Sequence, residues 1–175
     1  MLRKIFRFTA PLILMGFIAG IAVAPAAAGG SPNSNMPVFP FAKKAGFSIL
    51  TQALQAADLV GVINSTGPIT VFAPTDDAFL ALEAAEPGTL DFLLSNPDEL
   101  RKILLLHVVE GEVPSSVAVG LIGTTQQSIN GLDLEFKSTT EGVGLQINNA
   151  VVIGVDNYAK NGVIHVVEDV ILPVD

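Results

Sequence analysis

Thr70-Val71-Phe72-Ala73-Pro74-Thr75-Asp76-Asp77-Ala78-Phe79 is the stretch on which the reading of this chain turns. Ile69 to Ala73 is rich in β-branched and aromatic residues and predicts a buried strand. Pro74 breaks that run, and a helix restarts from Asp76 to about Ala85. Thr75 or Asp76 is placed to cap the helix by accepting orphan backbone N–H groups, and Asp76 and Asp77 suit its positive end. A second informative stretch lies near the C-terminus. Asn161-Gly162 is a turn dipeptide, and Val163-Ile164-His165-Val166-Val167 reads as a buried strand holding one histidine.

Upstream of the first stretch, Ile49, Leu50, Ala53, Leu54 and Ala57 recur at helical spacing, with Ser48 as candidate cap. Leu59, Val60, Val62 and Ile63 predict a short helical turn ended by Ser65-Thr66-Gly67-Pro68. Downstream, Pro87-Gly88 interrupts, and Leu90, Phe92, Leu93 and Leu94 supply another apolar turn. Asn96-Pro97-Asp98-Glu99 then has the form of a helix start, with Asn96 as cap and Glu99 reaching back as in a capping box. That helix runs into Leu104-Leu105-Leu106-His107-Val108-Val109.

From Val113 onward the pattern turns to β, with Gly120 and Gly123 in strand-and-turn context. Asn130-Gly131 predicts a hairpin through a type I′ turn, which needs positive φ at both residues. Leu132, Leu134 and Phe136 alternate with Asp133, Glu135 and Lys137, giving one core face and one wet face. Val143, Leu145 and Ile147 repeat the alternation, and Val151 to Val155 and Val163 to Val167 follow. The expectation is an α+β domain, helices first and an antiparallel set of strands second, without internal repeats.

The first residues stand apart from this fold. Arg3, Lys4 and Arg7 precede an apolar run from Ala10 to Ala24, and Ala26-Ala27-Ala28 supplies the small residues of a cleavage site. The division expected is a signal peptide at 1–28, a lead-in rich in Gly, Ser and Pro at 29–40, and one domain at 41–175. The rival reading keeps the apolar run as an anchor across a thin bilayer. No second apolar segment approaches spanning length, so no membrane span is expected after cleavage. The secreted or periplasmic space is the expected location.

Loss of three basic residues with the leader leaves six against seventeen acidic ones, a net charge of −11. Such a surface repels nucleic acid and anionic lipid headgroups. With no cysteine, stability has to come from packing, and thiol chemistry is excluded.

Residues with chemistry are few. His107 and His165 are the only histidines, each inside an apolar run and without HxxxH or HxH spacing, which predicts neutral core side chains bonded to backbone groups. Asp76 and Asp77 are explained by helix capping rather than as metal ligands or paired acid–base carboxylates. No G-x-S-x-G elbow or glycine-rich phosphate loop occurs. An enzyme, a metal or a cofactor is therefore not expected. Asn64-Ser65-Thr66 fits the N-glycosylation pattern in an expected exposed turn, which matters only in a eukaryotic source.

Taken together, the Thr70–Phe79 stretch, the segment around His107 and Asn161-Gly162-Val163-Ile164-His165 resemble the signature segments of the fasciclin (FAS1) domain, in its order and spacing from about Phe41 to Pro173. The resemblance implies a wedge-shaped antiparallel β-sandwich of about seven strands with helices packed along one side. It implies a mainly structural role for the matching residues, and an exported module for adhesion or protein interaction with a cell-surface or matrix partner. It also raises a second class, a soluble carrier of an apolar molecule such as a carotenoid or lipid. One departure stands out: many members have tyrosine directly before the central histidine, and here that residue is Leu106, which has no hydroxyl to donate. A receptor-binding role for this segment is therefore not carried over.

Overall fold

The computed structural model describes residues 35–139 and 144–173, so the expected leader, residues 29–34 of the lead-in and Val143 lie outside the described residues. Helices α1 (Val38–Ala45), α2 (Ser48–Ala56) and α3 (Val60–Ser65) come first, followed by β1 (Ile69–Pro74). α4 (Asp76–Ala85), α5 (Thr89–Ser95) and α6 (Pro97–Leu106) lead to β2 (Val108–Glu110). Then come α7 (Ser115–Gly120), β3 (Thr125–Gln127), β4 (Asp133–Ser138), β5 (Leu145–Ile147), β6 (Ala150–Ala159) and β7 (Gly162–Val167).

The α+β class and the seven strands agree with expectation. The strands form one sheet in the order β2-β1-β7-β6-β5-β4-β3. Its two edges nearly meet: Ser128, just past β3, bridges Val109 of β2, and Ile129 donates its N–H to the Val108 carbonyl at 2.8 Å. The sheet therefore curls into an almost closed barrel with two separate cores. Phe72, Leu106, Leu134, Phe136, Ile147, Val167 and Ile171 fill the inside. Ile69, Val71, Ala73 and Ile164 pack outward against apolar faces of the helices, among them Leu50, Leu54, Ile63, Phe79, Leu100 and Leu104. Because β1 faces both cores, all six of its residues are buried.

Several details depart from the sequence reading, each for a tertiary reason. The pair β1–β7 is parallel, in register Ile69↔Gly162 through Pro74↔Val167, whereas the other strand pairs are antiparallel. Alternation reveals a strand but not its direction when the partner is ninety residues away. Helix α1 begins at Val38, ahead of the boundary expected at Phe41, because Val38 is buried and Asn161 Oδ1 accepts its N–H at 3.0 Å. Ser115–Gly120 is helical rather than extended. The Asp156 carboxylate accepts both the N–H and the hydroxyl of Ser115, and Ala118 is buried in the inner core.

The hairpin at Asn130-Gly131 exists, but only Gly131 has positive φ, +80°. Gly131 donates to the Ser128 carbonyl and Ser128 to that of Leu132, the pattern of a three-residue loop with a glycine bulge rather than type I′. Neither Ser48 nor Asn96 caps its helix through its side chain. Asn96 Nδ2 donates instead to the Phe92 carbonyl, and Glu99 pairs with Lys102 at 2.8 Å. Asn64 lies in α3 rather than in an exposed turn, with its amide oxygen buried and unpartnered.

Candidate functional site

The polar residues of the signature segments are tied into the scaffold. Thr70 is fully buried; its hydroxyl donates to the Gly111 carbonyl at 2.7 Å and accepts the Val113 N–H at 2.9 Å, closing the turn after β2. Thr75 caps α4 by accepting the Ala78 N–H at 3.2 Å. Asp76 caps a different helix, since its Oδ1 accepts the Ile49 N–H in the first turn of α2 at 2.9 Å. Asn161 joins three segments: Oδ1 accepts from Val38, and Nδ2 donates to the carbonyls of Ile63 at 2.7 Å and Thr66 at 2.9 Å. Gly162 is forced by the parallel pairing, because a Cβ there would sit 1.9 Å from the Ile69 carbonyl oxygen.

Both histidines are buried and their ring nitrogens are engaged. His107 Nε2 accepts the Ile171 N–H at 2.9 Å, so the ring proton resides on Nδ1 and is donated to the Ile103 carbonyl at 2.7 Å. In His165 the order is reversed: Nε2 donates to the Val113 carbonyl at 2.8 Å while Nδ1 faces the Asp156 N–H at 3.4 Å. Phe72 lies between them, its N–H on the His107 carbonyl and its ring stacked on His165 at 5.7 Å. Burial pushes His107 down to about 4, the Ile103 carbonyl offsetting only part of that. Burial also lowers His165, against the opposing pull of the Val113 carbonyl and the Asp156 charge. These rings are neutral braces between backbone segments. Leu106, beside His107, points into the inner core and is 1% exposed.

Three bracing residues escaped the sequence reading. Asp156 and Asn148 both have positive φ, and Asn148 and Asn149 form the tight turn between β5 and β6. Asn148 accepts from Glu135 N–H at 2.7 Å and donates to the Leu172 carbonyl at 2.9 Å. Asn149 Nδ2 donates to the Val170 carbonyl at 2.9 Å, and its Oδ1 accepts the Leu172 N–H at 3.0 Å. The consecutive asparagines were the available signal, since this residue type tolerates left-handed backbone.

What remains for chemistry with other molecules is the outside. Leu80 on α4, Phe92 on α5, Val119 on α7 and Ile153 on β6 are each more than half exposed. A groove of about 180 Å³ runs between α4 and residues 169–172, and another of about 250 Å³ lies between the β3–β4 hairpin and Pro173. Among the described residues no three His, Asp or Glu side chains converge as a metal site, and no helix is long and apolar enough to cross a membrane.

Comparison with known proteins agrees with this architecture: the model of the fasciclin domain matches residues 45–173. The chain belongs to the fasciclin domain family. Protein sll1483 of Synechocystis sp. is 47% identical over 130 residues, covering 73% of this chain and 67% of that protein. The transforming growth factor-beta-induced protein ig-h3 of Oryctolagus cuniculus is 39% identical over 127 residues, 73% of this chain but only 18% of the relative. The cell surface glycolipoprotein MPB83 of Mycobacterium bovis is 31% identical over 163 residues, 90% of this chain and 64% of its own length. Among solved structures, the FAS1 domain pair of the insect cell adhesion molecule Fasciclin I superposes with a TM-score of 0.59 at 19% identity, covering 74% of this chain and 46% of that one. That last likeness concerns the fold. In this fasciclin domain the polar signature residues bond backbone groups of the barrel and its helices.

Proposed function

We propose that this chain is an exported, non-catalytic interaction module that binds a cell-surface or extracellular protein or matrix component through its outer surface. The observation that carries the reading is how the signature polar groups are used. Thr70, Thr75, Asp76, Asn161 and both histidines are occupied by backbone hydrogen bonds inside the fold, while Leu80, Phe92, Val119 and Ile153 stand exposed without internal partners. The side chains left at the surface are then the ones available to a partner. The name of the relative from Mycobacterium bovis, a cell surface glycolipoprotein, points the same way. Export rests on the leader read at residues 1–28, with cleavage after Ala28.

The carrier reading gains no support from the interior. The space between the helices and the sheet, lined by Leu50, Leu54, Ile63 and Val71, amounts to about 10 Å³, room for at most one water molecule. Binding of the purified exported chain to immobilised envelope and matrix fractions tests the proposal. Saturable binding that survives H107Q and H165Q, in variants with native circular dichroism, is expected. Turnover of a substrate that disappears in either folded variant refutes it.

A further inference from the structure

We infer that the groove between α4 and residues 169–172 is the docking site for a cationic peptide segment of a partner protein, one apolar side chain seated in the groove and Lys or Arg on either side of it. This rests on the interaction-module reading and names the partner's chemistry. The groove has an apolar floor, made by Ala78, Ala81 and Ala85 on one face of α4 and by Val170 and Leu172 opposite. Its 180 Å³ suits a single large side chain, since an apolar cavity of about 150 Å³ holds benzene.

The walls are preformed. Asn149 holds Val170 and Leu172 through two hydrogen bonds, and His107 holds Ile171 between them. A site so braced needs little ordering when a ligand arrives.

Charge selects the occupant. Asp169 lines the groove, Glu168 is next to it in sequence, and Glu86 follows Ala85 at the end of α4. The last turn of α4 carries no basic residue, so the negative end of the helix adds to the same field. Among the described residues none of these three carboxylates is ion-paired, unlike Glu99, which holds Lys102, and Glu135, which holds Lys137. An anionic membrane is repelled by such a rim. A second copy is disfavoured, because the exported chain carries a net charge of −11 and two such chains repel one another.

The test is fluorescence polarisation of the exported chain against three labelled peptides of about ten residues: a leucine flanked by lysines, the same peptide with alanine for leucine, and one with glutamates for lysines. The lysine–leucine peptide binds, weakening severalfold between 50 and 300 mM salt, and each control peptide binds at least tenfold more weakly. A81W, which fills the floor, lowers affinity tenfold or more, and D169N lowers it severalfold while flattening the salt dependence. D169N and E168Q leave the core untouched, so they decide the matter if A81W fails to fold. Equal binding by wild type, D169N and E168Q overturns the inference, as does no binding at millimolar peptide. A dimer in light scattering that A81W dissociates also overturns it, because the occupant is then a second copy. Envelope or matrix binding that survives A81W and D169N sinks the groove assignment alone; loss of that binding in wild type sinks the interaction module itself.

Discussion

Acidification is the perturbation that reads the histidine braces most directly. His107 Nε2 accepts the Ile171 N–H, so a proton added there places two donors face to face at 2.9 Å. The ring resists: from its ordinary 6.5, burial brings it down to about 4 in the fold. The unfolded chain therefore binds a proton that the native chain refuses between those two values. Stability is complete above pH 6.5, declines as pH falls, and levels off below about 4. At 1.36 kcal/mol per pH unit, that window corresponds to about 3 kcal/mol from His107. His165, also lowered by burial, acts in the same direction. The carboxylate of Glu83, held down by the Gly88 and Leu90 N–H groups, contributes only below its ordinary 4.5 and so leaves most of the window clear. Urea unfolding at pH 7.5, 6.5, 5.5 and 4.5 measures the decline. In H107Q, whose amide can accept from Ile171 and donate to Ile103 but does not titrate, the decline down to pH 4.5 is smaller by about 2.5 kcal/mol. Nitrogen-15 spectra of the imidazoles add a second reading, with the proton on Nδ1 in His107 and on Nε2 in His165. Identical pH slopes for wild type and H107Q, or a His107 ring titrating near 6.5 in the folded protein, refute the reasoning.

Replacing Gly162 with alanine puts a methyl 1.9 Å from the Ile69 oxygen, so β1 and β7 have to separate; the expected cost is about 3 kcal/mol or more, seen as a fall in urea midpoint at unchanged slope. N161A leaves the buried Val38 N–H and the Ile63 and Thr66 carbonyls without their amide partner, and loses about 3 kcal/mol with hydrogen exchange rising first in α1 and α3. D76A removes the cap of α2 rather than that of α4, so it costs about 1 kcal/mol and raises exchange at Ile49 while Ala78 stays protected. L106Y forces a larger, polar side chain into the inner core and destabilises by about 1–3 kcal/mol without creating a binding activity.

Much of the domain was legible from short-range pattern. The helix expected from Asp76 to Ala85 and the strand expected from Ile69 are present within a residue, because apolar periodicity and the Pro74-Thr75 break act locally. The alternation of Asp133 to Lys137 likewise yields β4, with Leu134 and Phe136 fully buried, whereas Leu132, expected on the same core face, lies in the hairpin loop before the strand and is 44% exposed. The short helix α7 was not legible. Ser115-Ser116-Val117-Ala118-Val119-Gly120 has weak helical propensity, and the Asp156 carboxylate that holds its first turn comes from β6. Asp76 shows the same limit: its type announced a cap, but which helix it serves depends on where α2 ends up. The groove was invisible as well, because its two walls are ninety residues apart and neither is unusual alone.

By itself, then, the order of residues determined the kinds of most elements, the excess of acidic residues, the absence of thiols and the signature that marks the family. Only tertiary structure decided the parallel docking of β1 on β7, the opposite tautomers of the two histidines and the acidic groove beside α4. The physical reason is range: periodicity and capping act over a few residues, whereas Asn161 finds Val38 across 123 positions. Such partners exist only once the chain has packed.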